Sequence, residues 1–238
     1  MTKFIAFVSG KGGVGKTTST LNVGQALSDL GKKVILLDAN LVTPNLALHL
    51  GMINPEGTVN KFLRKEKSFH EVLYKHDCGF SLIPSSPSLD EFLNTKPEKL
   101  SKIFGHLEDT ADFVLVDAPS GLGHVFNEVL KNTDEIIAVV NPNLSSVMDA
   151  LKTIKMAEAN NKIVAGLIMN MSNKGRHELK QQEVADILNY PILANIRQDN
   201  KARKSLHQNL PLAYLYPRSR TAKEFQKVAS YLSLEETA

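Results

Sequence analysis

The sequence predicts an α/β fold, a single domain over residues 1–238 in which helices cover both faces of a mostly parallel central sheet, giving three α/β/α layers. Three observations predict it. Short runs of Val, Ile, Leu, Ala and Phe recur along the chain, and most are apolar throughout instead of alternating, as strands buried on both faces must be. Segments of helical periodicity separate them. A glycine-rich loop at residues 10–15 joins the first apolar run to the first helical segment. At 238 residues, with 42% hydrophobic and 22% charged residues, the chain is long enough for one large core.

The first strand is read at residues 4–8, five apolar residues in a row before the glycine-rich loop, and the first helix at 16–30. A second strand ends in an acid at 34–38, Val-Ile-Leu-Leu-Asp. Residues 54–99 are less regular and are the place for family-specific decoration, with one strand at 80–83. The pattern then alternates: helix 99–108, strand 113–117, helix 125–131, strand 135–140, helix 145–160, strand 163–169, helix 177–188 and strand 192–196. In the last helix, 221–232, Ala222, Phe225, Val228, Ala229 and Leu232 fall on one stripe, which is assigned to the core. No repeat, low-complexity tract or linker interrupts the pattern.

No run of 18 apolar residues is present, so no membrane span is expected. The chain enters its first strand at once, which leaves no room for a signal peptide. Cys78 is the only cysteine, which excludes an internal disulfide and any multi-cysteine metal or iron–sulfur site within one chain; it is read as a buried thiol in a cytoplasmic protein. The seven histidines show no metal-ligand spacing. Net charge is +3, but residues 174–227 carry eleven Lys/Arg against five Asp/Glu. That basic third is either a solvated face or a surface for an acidic partner such as DNA.

Residues 10–17 fit G-x-x-x-x-G-K-[ST], a phosphate-binding loop between strand and helix. Gly12, Gly13, Val14, Gly15, Lys16, Thr17 and Thr18 would wrap the phosphates of a nucleoside triphosphate with backbone N–H groups and a helix N-terminus. Lys16 would reach the β- and γ-phosphates, and the Thr17 hydroxyl would ligate Mg²⁺. Phe-Val-Leu-Val-Asp at 113–117 ends in Asp117, the expected second Mg²⁺ residue, acting through water, and Ser120-Gly121 follow as a γ-phosphate-sensing loop. Asp38 also ends a buried strand, so it faces the same crevice, where it either contacts the attacking water or caps a turn.

With Lys11 in front of the loop, K-G-G-x-G-K-T-T resembles the deviant Walker A motif of the MinD/ParA class of P-loop ATPases, the SIMIBI type of fold. Asp38-Ala39-Asn40 through Asn45-Leu46, Asp117-Ala118-Pro119-Ser120-Gly121, Asn141-Pro142-Asn143 through Asp149-Ala150, and Tyr216-Pro217-Arg218-Ser219-Arg220 resemble the MinD branch, its archaeal members above all, in the right order along nearly the whole chain. The resemblance implies a Mg²⁺-dependent ATPase that dimerises around ATP and regulates a protein partner in cell division or spatial organisation. It implies that Lys11 crosses to the partner's nucleotide, that Asn170 reads the adenine edge, and that Asp199 borders the base.

Three departures qualify it. Asn40 stands where relatives usually carry a second aspartate; with Lys11, Lys16 and Asp38 it is placed in the catalytic set, but it accepts no proton, so slow hydrolysis is expected. The end of the chain, residues 232–238, is acidic and lacks a basic amphipathic anchor, so autonomous membrane binding is not expected and membrane association would go through a partner. Arg197-Gln198-Asp199 replaces a P-E-D sequence. The alternatives are a ParA-like partition ATPase binding DNA in its ATP state through Arg197, Lys201, Arg203, Lys204, Arg218, Arg220 and Lys223, and a signalling module that binds ATP with negligible turnover.

Overall fold

The computed structural model describes residues 1–173, 175 and 177–235; Lys174 and Arg176 of the basic third, and the acidic end at 236–238, lie outside the described residues. In chain order the elements are β1 (Lys3–Val8), α1 (Lys16–Asp29), β2 (Val34–Asp38), α2 (Leu46–His49), α3 (Val59–Leu63), α4 (Phe69–Val72), β3 (Tyr74–Lys75), β4 (Ser81–Ile83) and α5 (Leu89–Leu93). A 3₁₀ turn (Pro97–Lys99) leads into α6 (Ser101–Leu107), β5 (Phe113–Asp117), α7 (His124–Lys131), β6 (Glu135–Val140) and α8 (Leu144–Ala159). The chain closes with β7 (Ile163–Ser172), α9 (Gln181–Leu188), β8 (Ile192–Arg197), α10 (Asn200–His207), α11 (Leu212–Leu215) and α12 (Arg220–Glu235).

The strands form one sheet in the order β3-β4-β2-β5-β1-β6-β7-β8. Only β3 runs antiparallel, pairing Tyr74 with Leu82. β1 sits between β5 and β6, so the winding reverses at this strand. Loops leaving the carboxyl ends of such strands diverge and open a crevice, here at the glycine-rich loop.

Strand residues alternate between two cores because successive side chains point to opposite faces. Phe4, Ala6 and Val8 of β1 enter one core, with Ile103, Phe126, Val147 and Val184 from α6, α7, α8 and α9. Ile5 and Phe7 enter the other, with Leu21 and Leu27 of α1 and Phe225, Val228 and Leu232 of α12. The three expected layers are therefore present, and the stripe of α12 is spent on the core. No described helix is long and apolar enough to cross a membrane.

Differences from the sequence reading are local. β7 runs three residues past 169 because Ser172 still pairs with Arg197 of β8, which puts Asn170 inside a strand. The helix expected from 177 starts at Gln181, where the Glu183 carboxylate accepts from the Lys180 N–H at 2.6 Å. The helix expected at 99–108 is cut to α6 by Pro97 at its front and by Asp109, at φ 59°, behind it. α2 to α5, β3, α10 and α11 are short elements that no periodicity announces.

Phe225 is 1% exposed between α12 and the sheet. Phe225→Ala is expected to cost about 3–5 kcal/mol, read as a fall in the midpoint of denaturant unfolding.

Candidate functional site

Ser9 follows β1, and its hydroxyl donates to the Lys11 carbonyl at 2.7 Å, which starts the loop's turn. Two glycines are sterically required. A Cβ at Gly10 would run into the backbone of Asp149 on α8, and Gly15, at φ 98°, faces the Asn170 amide so closely that a Cβ would collide with it. Gly15 is also the N-cap of α1, and no side chain caps that helix. The first N–H groups of α1 are thus left for an anion.

The charged groups lie behind the loop. Asp38 and Asp117 are register partners on β2 and β5, both essentially buried. Asp117 Oδ2 accepts from the Thr17 hydroxyl at 2.6 Å. Its Oδ1 is buried without a partner. Burial pushes the Asp117 carboxyl up to about 6, against the lowering effect of the Thr17 hydrogen bond and of Lys16. Lys16, 7% exposed, donates from Nζ to Ser120 Oγ at 2.8 Å. Burial lowers its pKa, while Asp117 and Asp38 oppose the change.

The orphaned Asp117 oxygen beside a hydroxyl fits a hard cation. Among the described residues no three His, Cys, Asp or Glu converge on a metal. Thr17 and Asp117 supply few protein ligands, which suits Mg²⁺, an ion that usually takes the rest from phosphates and water.

Asp38 is fully buried at the end of β2. Its carboxylate accepts from the N–H groups of Asn40, Asn45 and Leu46, each at 3.1 Å, so it ties down the loop before α2. Burial, and then Asp117, raise its pKa well above the ordinary range. Asn40 turns its amide into the same loop: Nδ2 donates to the Thr43 carbonyl at 2.6 Å, and Oδ1 accepts from the Thr43 N–H at 3.2 Å. The loop holding Ser120 is pinned to the phosphate loop by the Gly121 N–H, which donates to the Ser9 carbonyl at 3.1 Å.

Gly12, Gly13, Val14, Gly15, Lys16, Thr17 and Thr18 form the loop and the first turn of α1. Lys11 is exposed at its front. Asn170 reaches it from β7, with Nδ2 donating to the Val14 carbonyl at 2.8 Å. Asp199, two residues past β8, is the N-cap of α10, where its carboxylate accepts from the Lys201 N–H at 2.9 Å and the Thr221 hydroxyl at 2.8 Å. Ser120 as the anchor of Lys16 went unassigned in the sequence; its place three residues after Asp117 was the available signal. Lys201, Arg203 and Lys204 of the basic third are exposed on α10.

Two family models match the chain: "AAA domain" over residues 2–165 and "NUBPL iron-transfer P-loop NTPase" over residues 98–233. The septum site-determining protein MinD of Synechocystis is 31% identical over 98% of this chain and 90% of its own length. The chain belongs to the ParA/MinD family of P-loop ATPases. An uncharacterized ATP-binding protein of Methanocaldococcus jannaschii is 34% identical over 96% of this chain and 86% of that protein. The structure of MinD from Pyrococcus horikoshii, complexed with Mg-ADP, superposes with a TM-score of 0.93 at 29% identity, covering 98% of this chain and 96% of that one. The doubly wound sheet is thus that of MinD structures. Within this MinD-type ATPase a cluster-holding thiol pair is absent: the sole cysteine, Cys78, precedes β4 at the opposite edge of the sheet, and burial pushes its thiol up to about 11.

A buried Asp with a raised pKa binds its proton more tightly in the folded state. It therefore costs stability as pH rises from the unfolded value, near 4, through about 6. Asp117→Asn is expected to stabilise the nucleotide-free protein at pH 7 by on the order of 2 kcal/mol, about 5 °C in melting temperature. The gain should vanish by pH 4. Melting curves of both proteins across that range check it.

Proposed function

We propose that this chain is a dimerisation switch. It binds ATP with Mg²⁺, pairs with a second copy around the nucleotides, hydrolyses ATP slowly, and in the paired state recruits or positions a protein partner. The single observation that carries the reading is the layout of the carboxyl edge of the sheet. A buried phosphate site lies behind an exposed lysine, Lys11, and apolar side chains stand out around it. Val42 after β2, Leu122 after β5, Leu144 and Met148 after β6, and Met171 near the end of β7 are all solvent-exposed, Leu144 at 60%. These strands are neighbours in the sheet, so their loops rim one face. Exposed apolar residues gathered on one face mark a contact surface.

Lys11 would meet a phosphate held by the opposite subunit, where its charge would stabilise the negative charge that develops during transfer. Thr17 and Asp117 would hold Mg²⁺, which supplies charge neutralisation between the phosphates when bound. Lys16 would bind the phosphates in exchange for its bond to Ser120. Asn170 keeps Oδ1 without a partner among the described residues, available to the exocyclic amine of adenine while Nδ2 holds the loop. The MinD-branch relatives named above bring the cell-division or spatial-organisation setting to this reading, and the paired state in the cytoplasm would reach a membrane through its partner.

Light scattering with ATP, with ADP and without nucleotide tests the switch. A dimer is expected with ATP alone, and Lys11→Ala should remain a monomer. A monomer in every condition overturns the reading. Slow hydrolysis rests on Asn40, which can orient water but accept no proton. Steady-state phosphate release should rise at least about fivefold in Asn40→Asp. Equal rates would remove Asn40 as the cause.

A further inference from the structure

Asn141 is the first residue after β6. Its backbone is fixed on both sides: its N–H donates to Ser146 Oγ at 3.0 Å, and its carbonyl accepts from the Asn143 N–H at 2.8 Å. The side chain therefore leaves from a rigid platform at the start of α8. Its Nδ2 donates to the Asn170 carbonyl at 3.1 Å and lies 3.5 Å from the Val14 carbonyl. Asn170 Nδ2 donates to that same Val14 carbonyl at 2.8 Å. Two amides from the ends of adjacent strands thus converge on one peptide of the phosphate loop.

We propose that Asn141 is a positioning residue for phosphate binding, which with Asn170 clamps the Val14 carbonyl and thereby sets the direction of the Gly15 N–H. The reasoning is geometric. In a trans peptide the C=O and the following N–H point in opposite directions. A carbonyl drawn toward β6 and β7 turns the Gly15 N–H away from them, as a donor for a phosphate oxygen. Gly15 itself does not enforce this, because a glycine at φ 98° has other conformations open to it. The restraint has to come from outside the loop, and the amide pair supplies it. Asn141 acts twice, directly on Val14 and through the Asn170 carbonyl, which fixes the strand that carries the second amide. The inference rests on the reading that the loop binds a nucleotide, and it adds a residue beyond the loop to that site.

Three substitutions separate clamping from space filling, with ADP and Mg²⁺ as the probe and calorimetric titration as the measurement. Asn141→Asp keeps the shape but removes both donors and sets a carboxylate against two carbonyls. Asn141→Ala removes donors and volume. Asn141→Leu keeps most of the volume without polarity. A clamp predicts affinity in the order Asn, then Ala or Leu, then Asp, with a loss of about fivefold for Ala and more than tenfold for Asp. A filler predicts the reverse, with Asp close to Asn and Ala the weakest. Melting temperatures without nucleotide are measured alongside, and a clamp predicts affinity changes in variants that still melt cooperatively. Should Asn141→Asp fail to fold, Asn141→Leu carries the test: a loss of about fivefold is expected, and affinity within twofold of the original overturns the clamp. Failure of the unsubstituted protein to bind ADP would overturn the nucleotide reading itself, a result distinct from equal affinity across the series.

Discussion

A charge imbalance in a dry place organises the carboxyl edge of this sheet. Asp38 and Asp117 face each other across β2 and β5, both buried, and Lys16 is the cation beside them. Two carboxylates and one ammonium cannot all be satisfied in a low-dielectric site without either protonation or more positive charge. The folded chain meets part of this demand with backbone N–H groups on Asp38 and a hydroxyl on Asp117, and leaves one Asp117 oxygen bare. A nucleotide would add further negative charge, and a bound cation would then complete the site. Burial, strand register and cofactor demand are one fact seen at three scales.

The sheet makes this arrangement possible by winding outward from β1 in both directions. Each parallel strand delivers its loop to the same edge. The phosphate loop, the Asn40 loop, the Ser120 loop and the Asn141 junction therefore meet although they are far apart in sequence. Bonds between them are direct: Lys16 to Ser120, Gly121 to Ser9, Asn170 to Val14. Single hydrogen bonds therefore join each of these loops to a neighbour.

Much of this was legible in the sequence, and the boundary of legibility has physical causes. Core strands announce themselves because burial on both faces demands uninterrupted apolar runs, and Phe-Val-Leu-Val-Asp ends where its run ends. Glycines in a loop that must wrap an anion, and the Lys-Thr pair after them, are restricted by sterics to few residue types. Short helices such as α3 and α5 are opened by side-chain caps, Thr58 and Ser88, and are too brief to leave a periodicity to read. Asn141 was invisible for a different reason: an amide holding a carbonyl more than a hundred residues away has no local pattern. Asp38 shows the same limit in reverse. Its position at a strand end was readable, but its three backbone donors come from a turn whose shape the sequence does not spell out.

The Asn40 side chain carries a consequence of its own. It closes its loop with both halves of a carboxamide, one giving to Thr43 and one receiving from it. An aspartate at this position could only receive, and its ability to do so would follow the proton activity and ionic strength around it. The amide latch has no charge to screen and no proton to lose over the biological range. The same loop is thus held in two ways, by an amide latch that acidity and salt leave alone and by a titratable carboxylate, Asp38, which accepts from the N–H groups of Asn40, Asn45 and Leu46.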